Sequence, residues 1–176
     1  VAAEGVANLP TYFAGLLPEG VMLDAARTAI RASADDLFAI LAATGFDAVG
    51  DIQVRAPGET KHATLNLAEA SRLAGQLATG KIDPGLISGF PGVQPKFSLG
   101  QILRSSRTRR TIAKFEPERF PGLLRNEHAI MRLASRCGLL TARTELRDDA
   151  LVVERFDRLF RDGKEVQIHV EDMLQA

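Results

Sequence analysis

Between Ser88 and Lys96 the sequence "SGFPGVQPK" places two glycines and two prolines. Each glycine allows a conformation or a close approach that a side chain would block, and each proline fixes φ. Such a run is either a plain connector or a lip over a ligand. Two residues downstream bear on the choice: Lys114 in "TIAKF" and Glu127 in "LLRNEHAIMRLASRCGL". Backbone amides near Gly92 can approach phosphate oxygens only where side chains are missing. An ammonium at Lys114 would bring a point charge to the same oxygens, and a carboxylate at Glu127 would hold that ammonium in place.

The elements that must position these residues are readable in outline. After Lys96, "KFSLGQIL" alternates as a strand, "RSSRTRR" is a polar turn, and "TIAKF" is a second strand with Ile112 and Lys114 on one face. A helix follows, with Leu123, Ile130, Ala134 and Cys137 expected inward and Gly138 as its stop. Glu127 precedes Ile130, Met131 and Ala134 by three, four and seven positions, on or beside that stripe. An unpaired carboxylate there is costly, and Lys114, thirteen residues upstream, is the partner on offer. The pattern predicts ion-pair contact between the two.

The first third of the chain reads as helical. Pro18 and Glu19 open one helix over Val21, Ala25, Ala29 and Ile30. "SADD", Ser33 to Asp36, is a capping-box variant ahead of Leu37, Ile40 and Leu41, closed by Gly45. A short strand is expected around Asp51 to Val54, then a boundary at Pro57 and Gly58. Asn66 and Glu69 cap a third helix with Ala70, Leu73, Ala74 and Leu77 as its stripe and Gly80 as its stop. "GQLATGK", Gly75 to Lys81, has the spacing of a phosphate-binding P-loop, but it closes a helix instead of opening one and is followed by Ile82, not Ser or Thr. Its glycine reads as a helix stop. The expectation is an α+β fold: residues 1–60 as part of an N-terminal subdomain, and 61–176 as an antiparallel sheet with a packed helix.

Composition narrows the classes. With 45% hydrophobic and 25% charged residues over 176 positions, the chain is ordinary globular material. Lys plus Arg equals Asp plus Glu at 22 each, which removes any global attraction for nucleic acid or an anionic membrane. The single Cys137 excludes an intrachain disulfide framework and suits a reducing, cytoplasmic compartment. No apolar run approaches membrane-spanning length. The first residue is Val1, and "HVEDMLQA" reads as a helix just begun, so a fragment of a longer chain is expected.

Glycine loop, strand, lysine on the next strand, then a helix bearing a glutamate is the order of a protein-kinase N-lobe. Taken singly, Lys114 could be a snorkelling sheet residue and Glu127 an exposed helix position. Taken further, "GFPGVQPKFSL", "TIAKF", "LLRNEHAIMRLASRCGL", "ALVVERFDR" and "HVEDMLQA" together resemble, in order and spacing, the HipA family of serine/threonine kinases. These are toxins of bacterial toxin–antitoxin pairs, associated with persistence. "YFAGLLPEG" and "DLFAILAATGFDAVGDIQV" resemble the end of that family's N-terminal subdomain.

The resemblance implies ATP and Mg²⁺ as cofactors. It makes Pro91, Gly92, Val93, Gln94, Pro95 and Lys96 the phosphate-covering loop, Lys114 the nucleotide lysine, and Glu154, Arg155 and Phe156 the hinge whose backbone meets adenine. It implies aminoacyl-tRNA synthetases as protein substrates, a helix-turn-helix antitoxin as partner, and DNA contact only through that antitoxin. The catalytic and metal-holding aspartates of the family would lie in a C-lobe beyond Ala176, so the chain alone is expected to be inactive, with no metal ligands of its own.

Asp162 with Gly163 reads as a hairpin turn, and Asp157 and Asp172 as structural. Two departures from the family stand out. The usual regulatory serine of the loop is replaced by Gly89, leaving Ser88 as the nearest hydroxyl for phosphorylation, and Val170 stands where relatives often carry glutamine. Arg104, Arg107, Arg109 and Arg110 read as a solvated turn, with nucleic-acid contact the other reading. His62, His128 and His169 lack metal-ligand spacing, and Tyr12 and Phe13 read as core. Two further functions stay open: a non-catalytic module that binds an antitoxin or a separate kinase, and a phosphate-binding domain without phosphoryl transfer.

Overall fold

The computed structural model describes residues 5–6, 9–55, 57, 65–77, 82–99 and 110–171. The chain opens with a short antiparallel pair, β1 (Gly5–Val6) and β2 (Leu9–Pro10), and one helical turn, α1 (Thr11–Ala14). The expected helical pair follows as α2 (Gly20–Ile30) and α3 (Leu37–Thr44). α2 buries Met22, Ala25 and Ala26 and ends where Arg31 turns left-handed. α3 is capped by Asp36, whose carboxylate accepts from the Ala39 amide at 3.1 Å. Ser33 plays no such part, because residues 33–36 form a turn of their own, closed by the Asp36 amide on the Ser33 carbonyl.

The strand expected at Asp51–Val54 does not form. A strand needs a neighbour, and among the described residues this segment has none: the Val54 amide donates to the Gly45 carbonyl at 2.9 Å instead. The capping box is present as read. Asn66 accepts from the Glu69 amide at 2.9 Å and Glu69 accepts from the Asn66 amide at 2.8 Å, starting α4 (Leu67–Ala74). α4 stops at Gly75, earlier than expected; Gly80 and Lys81 lie outside the described residues.

Four strands build the main sheet: β3 (Lys96–Leu99), β4 (Thr111–Phe115), β5 (Thr144–Arg147) and β6 (Ala150–Glu154), antiparallel in the order β3-β4-β6-β5. The helix α5 (Leu123–Arg136) connects β4 to β5. A separate hairpin, β7 (Arg158–Arg161) and β8 (Lys164–Gln167), turns on Asp162 at φ 51° and Gly163 at φ 75°, which gives Asp162 the turn role read from sequence. The architecture is α+β. One sheet face supplies Phe97, Leu99, Ala113, Phe115 and Ala150 to a continuous core with Met22, Ile40 and Leu41 from the N-terminal helices and Ala70 and Leu73 from α4. The opposite face carries Lys96, Ile112 and Lys114, since alternate residues and register partners share a face.

α5 is rolled relative to the sequence reading. Ile130 is 54% exposed and Cys137 is exposed, while Leu124 is the buried residue and Glu127, His128 and Met131 are half-buried. Moving the inward position from Ile130 to Met131 is a rotation of about 100°. The helix packs along β5 and β6, and a hydrogen bond of 2.8 Å between His128 Nδ1 and Thr144 Oγ1 fixes the roll.

Gly89 is required by packing. A Cβ there would lie 2.4 Å from the Leu16 carbonyl oxygen, a backbone atom that cannot swing aside, and the Gly89 amide donates to the Thr44 carbonyl at 3.0 Å. The N-terminal unit therefore leaves no room for a serine at this position.

Candidate functional site

Lys114 sits in the central strand β4, with Lys96 as its register partner on β3 and Leu151 on β6. Its ammonium donates to Glu127 Oε1, the predicted pair, with the two side chains 23% and 26% exposed. Glu127 is placed by the start of α5. Gly122 adopts φ 85° and offers no side-chain cap, so the carboxylate of Glu116 accepts from the amides of Gly122 and Leu124 instead. Those bonds hold the Glu116 carboxyl below its usual range, the Leu124 amide contributing most.

The glycine loop arches over the strand that follows it. Gly92 has φ 95°, and a Cβ on it would lie 2.9 Å from Lys96 Nζ. Lys96 itself begins β3 instead of belonging to the loop, and its ammonium donates to the Pro91 carbonyl. Gln94 Nε2 donates to the Phe115 carbonyl at 3.3 Å, while Val93 is 67% exposed and is backed by Gly20 of α2. Burial pushes the Lys96 ammonium down to about 8, with the Lys114 charge adding to the effect and Glu19 and Glu127 opposing it. Two lysines thus stand side by side under a glycine loop, and one close carboxylate balances them. That is chemistry for an anion. Glu19 is a neighbour that the sequence reading missed, since only the docking of α2 behind the loop brings it near.

The stretch Glu154 to Phe156 ends β6 and turns away from the sheet. The Arg155 amide donates to the Arg110 carbonyl at 3.0 Å, and Phe156 is 62% exposed. The Arg155 side chain is buried, as is that of Arg158. Arg155 grips Asp157 with two bonds of 2.9 and 2.7 Å and reaches Asp47 at 2.7 Å and the Ala48 carbonyl at 2.9 Å. Arg158 donates to the carbonyls of Gly50 at 2.6 Å and Ala48 at 3.0 Å and to Asp157 at 2.8 Å. Asp157 also accepts from the Gly50 amide at 2.9 Å. It is a structural group, as read.

The other expected positions scatter. Ser88 is 3% exposed, so its hydroxyl is not at the surface in this conformation, and phosphorylation there would need the segment to leave its seat. Arg110 pairs with Glu165 at 2.7 Å, while Arg104, Arg107, Arg109, His62 and Asp172 lie outside the described residues. His169 bonds Asp51 and Glu171 and stacks on Tyr12, which with Phe13 packs against the core. Among the described residues no three His, Cys, Asp or Glu side chains gather as a metal site, and no helix is long and apolar enough to cross a membrane.

A glycine loop over an antiparallel sheet, with a strand lysine held by a glutamate on the packed helix, defines a protein-kinase-like N-lobe. Residues 88–176 match the family model described as HipA-like C-terminal domain, and residues 4–55 match HipA N-terminal domain. The chain belongs to the HipA family. It is 33% identical over 190 aligned positions to "Putative kinase Y4mE" of Sinorhizobium fredii, covering 94% of this chain and 45% of that protein. It is 30% identical over 192 positions to the serine/threonine-protein kinase toxin HipA of Shewanella oneidensis, covering 98% and 44%. Among solved structures it resembles a chain of the Shewanella oneidensis HipA, HipB and operator DNA complex, with a TM-score of 0.64, 26% identity, and 94% and 43% of the two chains covered. The chain spans less than half the length of the curated relatives it matches.

Proposed function

We propose that this chain is the nucleotide-holding part of a longer ATP-dependent serine/threonine protein kinase, the toxin of a toxin–antitoxin pair. The observation that carries the reading is the Lys114–Glu127 pair beside the Gly92 loop. The residues present suit a nucleotide: Gly92, at φ 95°, holds the loop in a conformation that side-chain-bearing residues rarely adopt, and two ammonium groups face the same space. Lys114 neutralises phosphate charge, Glu127 holds it against the repulsion of the second lysine, and the hinge segment from Glu154 to Phe156 is assigned to the base by the family resemblance. Lys96 spends one of its three N–H donors on the Pro91 carbonyl and has two left for a phosphate.

ATP supplies the phosphoryl group. Mg²⁺ and the group that orients the substrate hydroxyl are assigned to the remainder of the longer protein. By analogy with the solved HipA, HipB and operator DNA complex, an antitoxin is the partner and DNA is met through it; the resemblance to the family adds a helix-turn-helix fold for that antitoxin and an aminoacyl-tRNA synthetase as substrate.

The test is phosphoryl transfer from radiolabelled ATP to candidate aminoacyl-tRNA synthetases. The full-length gene product transfers, and the 176-residue chain does not, because positioning and charge neutralisation are nearly all the catalysis such enzymes provide. Transfer by the isolated chain would overturn this assignment of parts.

Lys96 adds a pH dependence. It keeps its proton to about 10.5 when unfolded and sheds it near 8 when folded, so the unliganded fold gains stability between those values. ATP binding has the opposite trend: affinity falls as pH rises past about 8 and the ammonium is lost. Titrating a fluorescent ATP analogue into the full-length protein from neutral pH upward reads the step, and Lys96→Ala removes it.

A further inference from the structure

We propose that Asp47, a residue of the N-terminal unit, is a positioning residue of the nucleotide site: through Arg155 it sets the backbone of the Glu154–Phe156 hinge. The inference rests on the nucleotide reading given above. Arg155 is the middle residue of the hinge, and its guanidinium is 1% exposed. That guanidinium bonds to Asp157 and to the 47–48 segment: Nη1 to Asp47 at 2.7 Å, Nη2 to the Ala48 carbonyl at 2.9 Å, and two bonds to Asp157. The same segment holds Arg158, through Asp47 at 3.2 Å and the carbonyls of Ala48 and Gly50.

A hinge offers adenine its backbone, so the side chains around it decide where that backbone stands. Here the deciding group comes from more than 100 residues away in sequence. The Arg155 guanidinium also lies 4.8 Å over the Phe90 ring, and Phe90 directly precedes the glycine loop. Asp47 is therefore coupled to both lips of the site, hinge and loop. Burial pushes the Asp47 carboxyl up, but Arg155 and Arg158 outweigh it and keep the group charged. The N-terminal unit is then not a separate appendage. It completes the site, and a partner that shifts residues 47–50 would alter nucleotide affinity.

The experiment compares Asp47→Asn, Asp47→Glu and Asp36→Ala in the full-length protein. Asp36 caps α3 in the same unit and touches no hinge residue, so its loss reports general destabilisation. Asp47→Asn raises the KM for ATP about tenfold, the size of one charge-assisted hydrogen bond, with kcat nearly unchanged. Asp47→Glu restores most of the affinity, and Asp36→Ala lowers the melting temperature without moving KM. Hydrogen exchange on the 176-residue chain supplies a readout free of nucleotide: amides 154–158 exchange faster in Asp47→Asn than in the parent. Unchanged KM and unchanged exchange overturn the proposal, as does an equal rise in KM for Asp36→Ala. A parent protein that binds no ATP analogue overturns the nucleotide reading instead, while the exchange result still decides whether Asp47 orders the hinge.

Discussion

Lys114→Ala in the full-length protein lowers phosphoryl transfer by about 100-fold or more, the usual cost of removing a group that stabilises transition-state charge. The change leaves Glu127 half-buried without its cation and leaves Lys96 as the remaining ammonium under the loop. Lys96 cannot substitute. Its ammonium is bound to the Pro91 carbonyl, and burial, the largest influence on it, depresses its proton affinity even with Lys114 gone. Binding of the proposed antitoxin is unaffected, which separates loss of chemistry from loss of fold. Radiolabelled transfer and a pull-down with the antitoxin read the two. Full activity in Lys114→Ala would remove the kinase assignment of this lysine and loop.

Asp157→Ala destabilises the fold by about 3–5 kcal/mol, because it strips the shared carboxylate from two buried arginines and leaves like charges adjacent. For a chain of this size that is a fall of about 6–20 °C in the melting midpoint. The Gly50 amide also loses its acceptor, so the attachment of the 47–50 segment loosens with it. Burial pushes the Asp157 carboxyl up, but hydrogen bonding and charge from Arg155, with the Gly50 amide and Arg158, bring it below its ordinary value. A depressed carboxyl contributes stability that is full above its unfolded value, near pH 4, and is lost as pH falls through the folded one. The gap between parent and variant is accordingly widest above about pH 4 and closes in stronger acid. Thermal melts across that range check both size and sign; a variant that melts with the parent at neutral pH would make the network dispensable.

The candidate site was partly legible because its pieces are local. The glycines before Lys96, the alternation that puts Lys114 on one face, and the position of Glu127 in α5 each depend on neighbours a few residues away. The helix roll was not legible. Leu123, Ile130, Ala134 and Cys137 make a sound apolar stripe by spacing, yet the His128–Thr144 bond turns Ile130 outward and sets the half-buried Met131 toward the sheet. Glu127 lay close enough to either stripe to survive the rotation.

What the sequence determined by itself is what short-range physics controls. The Asn66–Glu69 capping box, the Asp162–Gly163 turn, the helical pair of the N-terminal unit and the order of loop, lysine and glutamate all stand in the structure as read. The tertiary structure alone decided that Asp51–Val54 is not a strand, that Lys96 closes on Pro91, that Ser88 is buried, and that Arg155 spends its guanidinium on Asp47 and Asp157. A cap or a tight turn is satisfied by bonds inside its own few residues. An extended segment must find a neighbour, and a buried arginine must find carboxylates before it can leave water, and the docking of distant parts of the chain settles where those partners are.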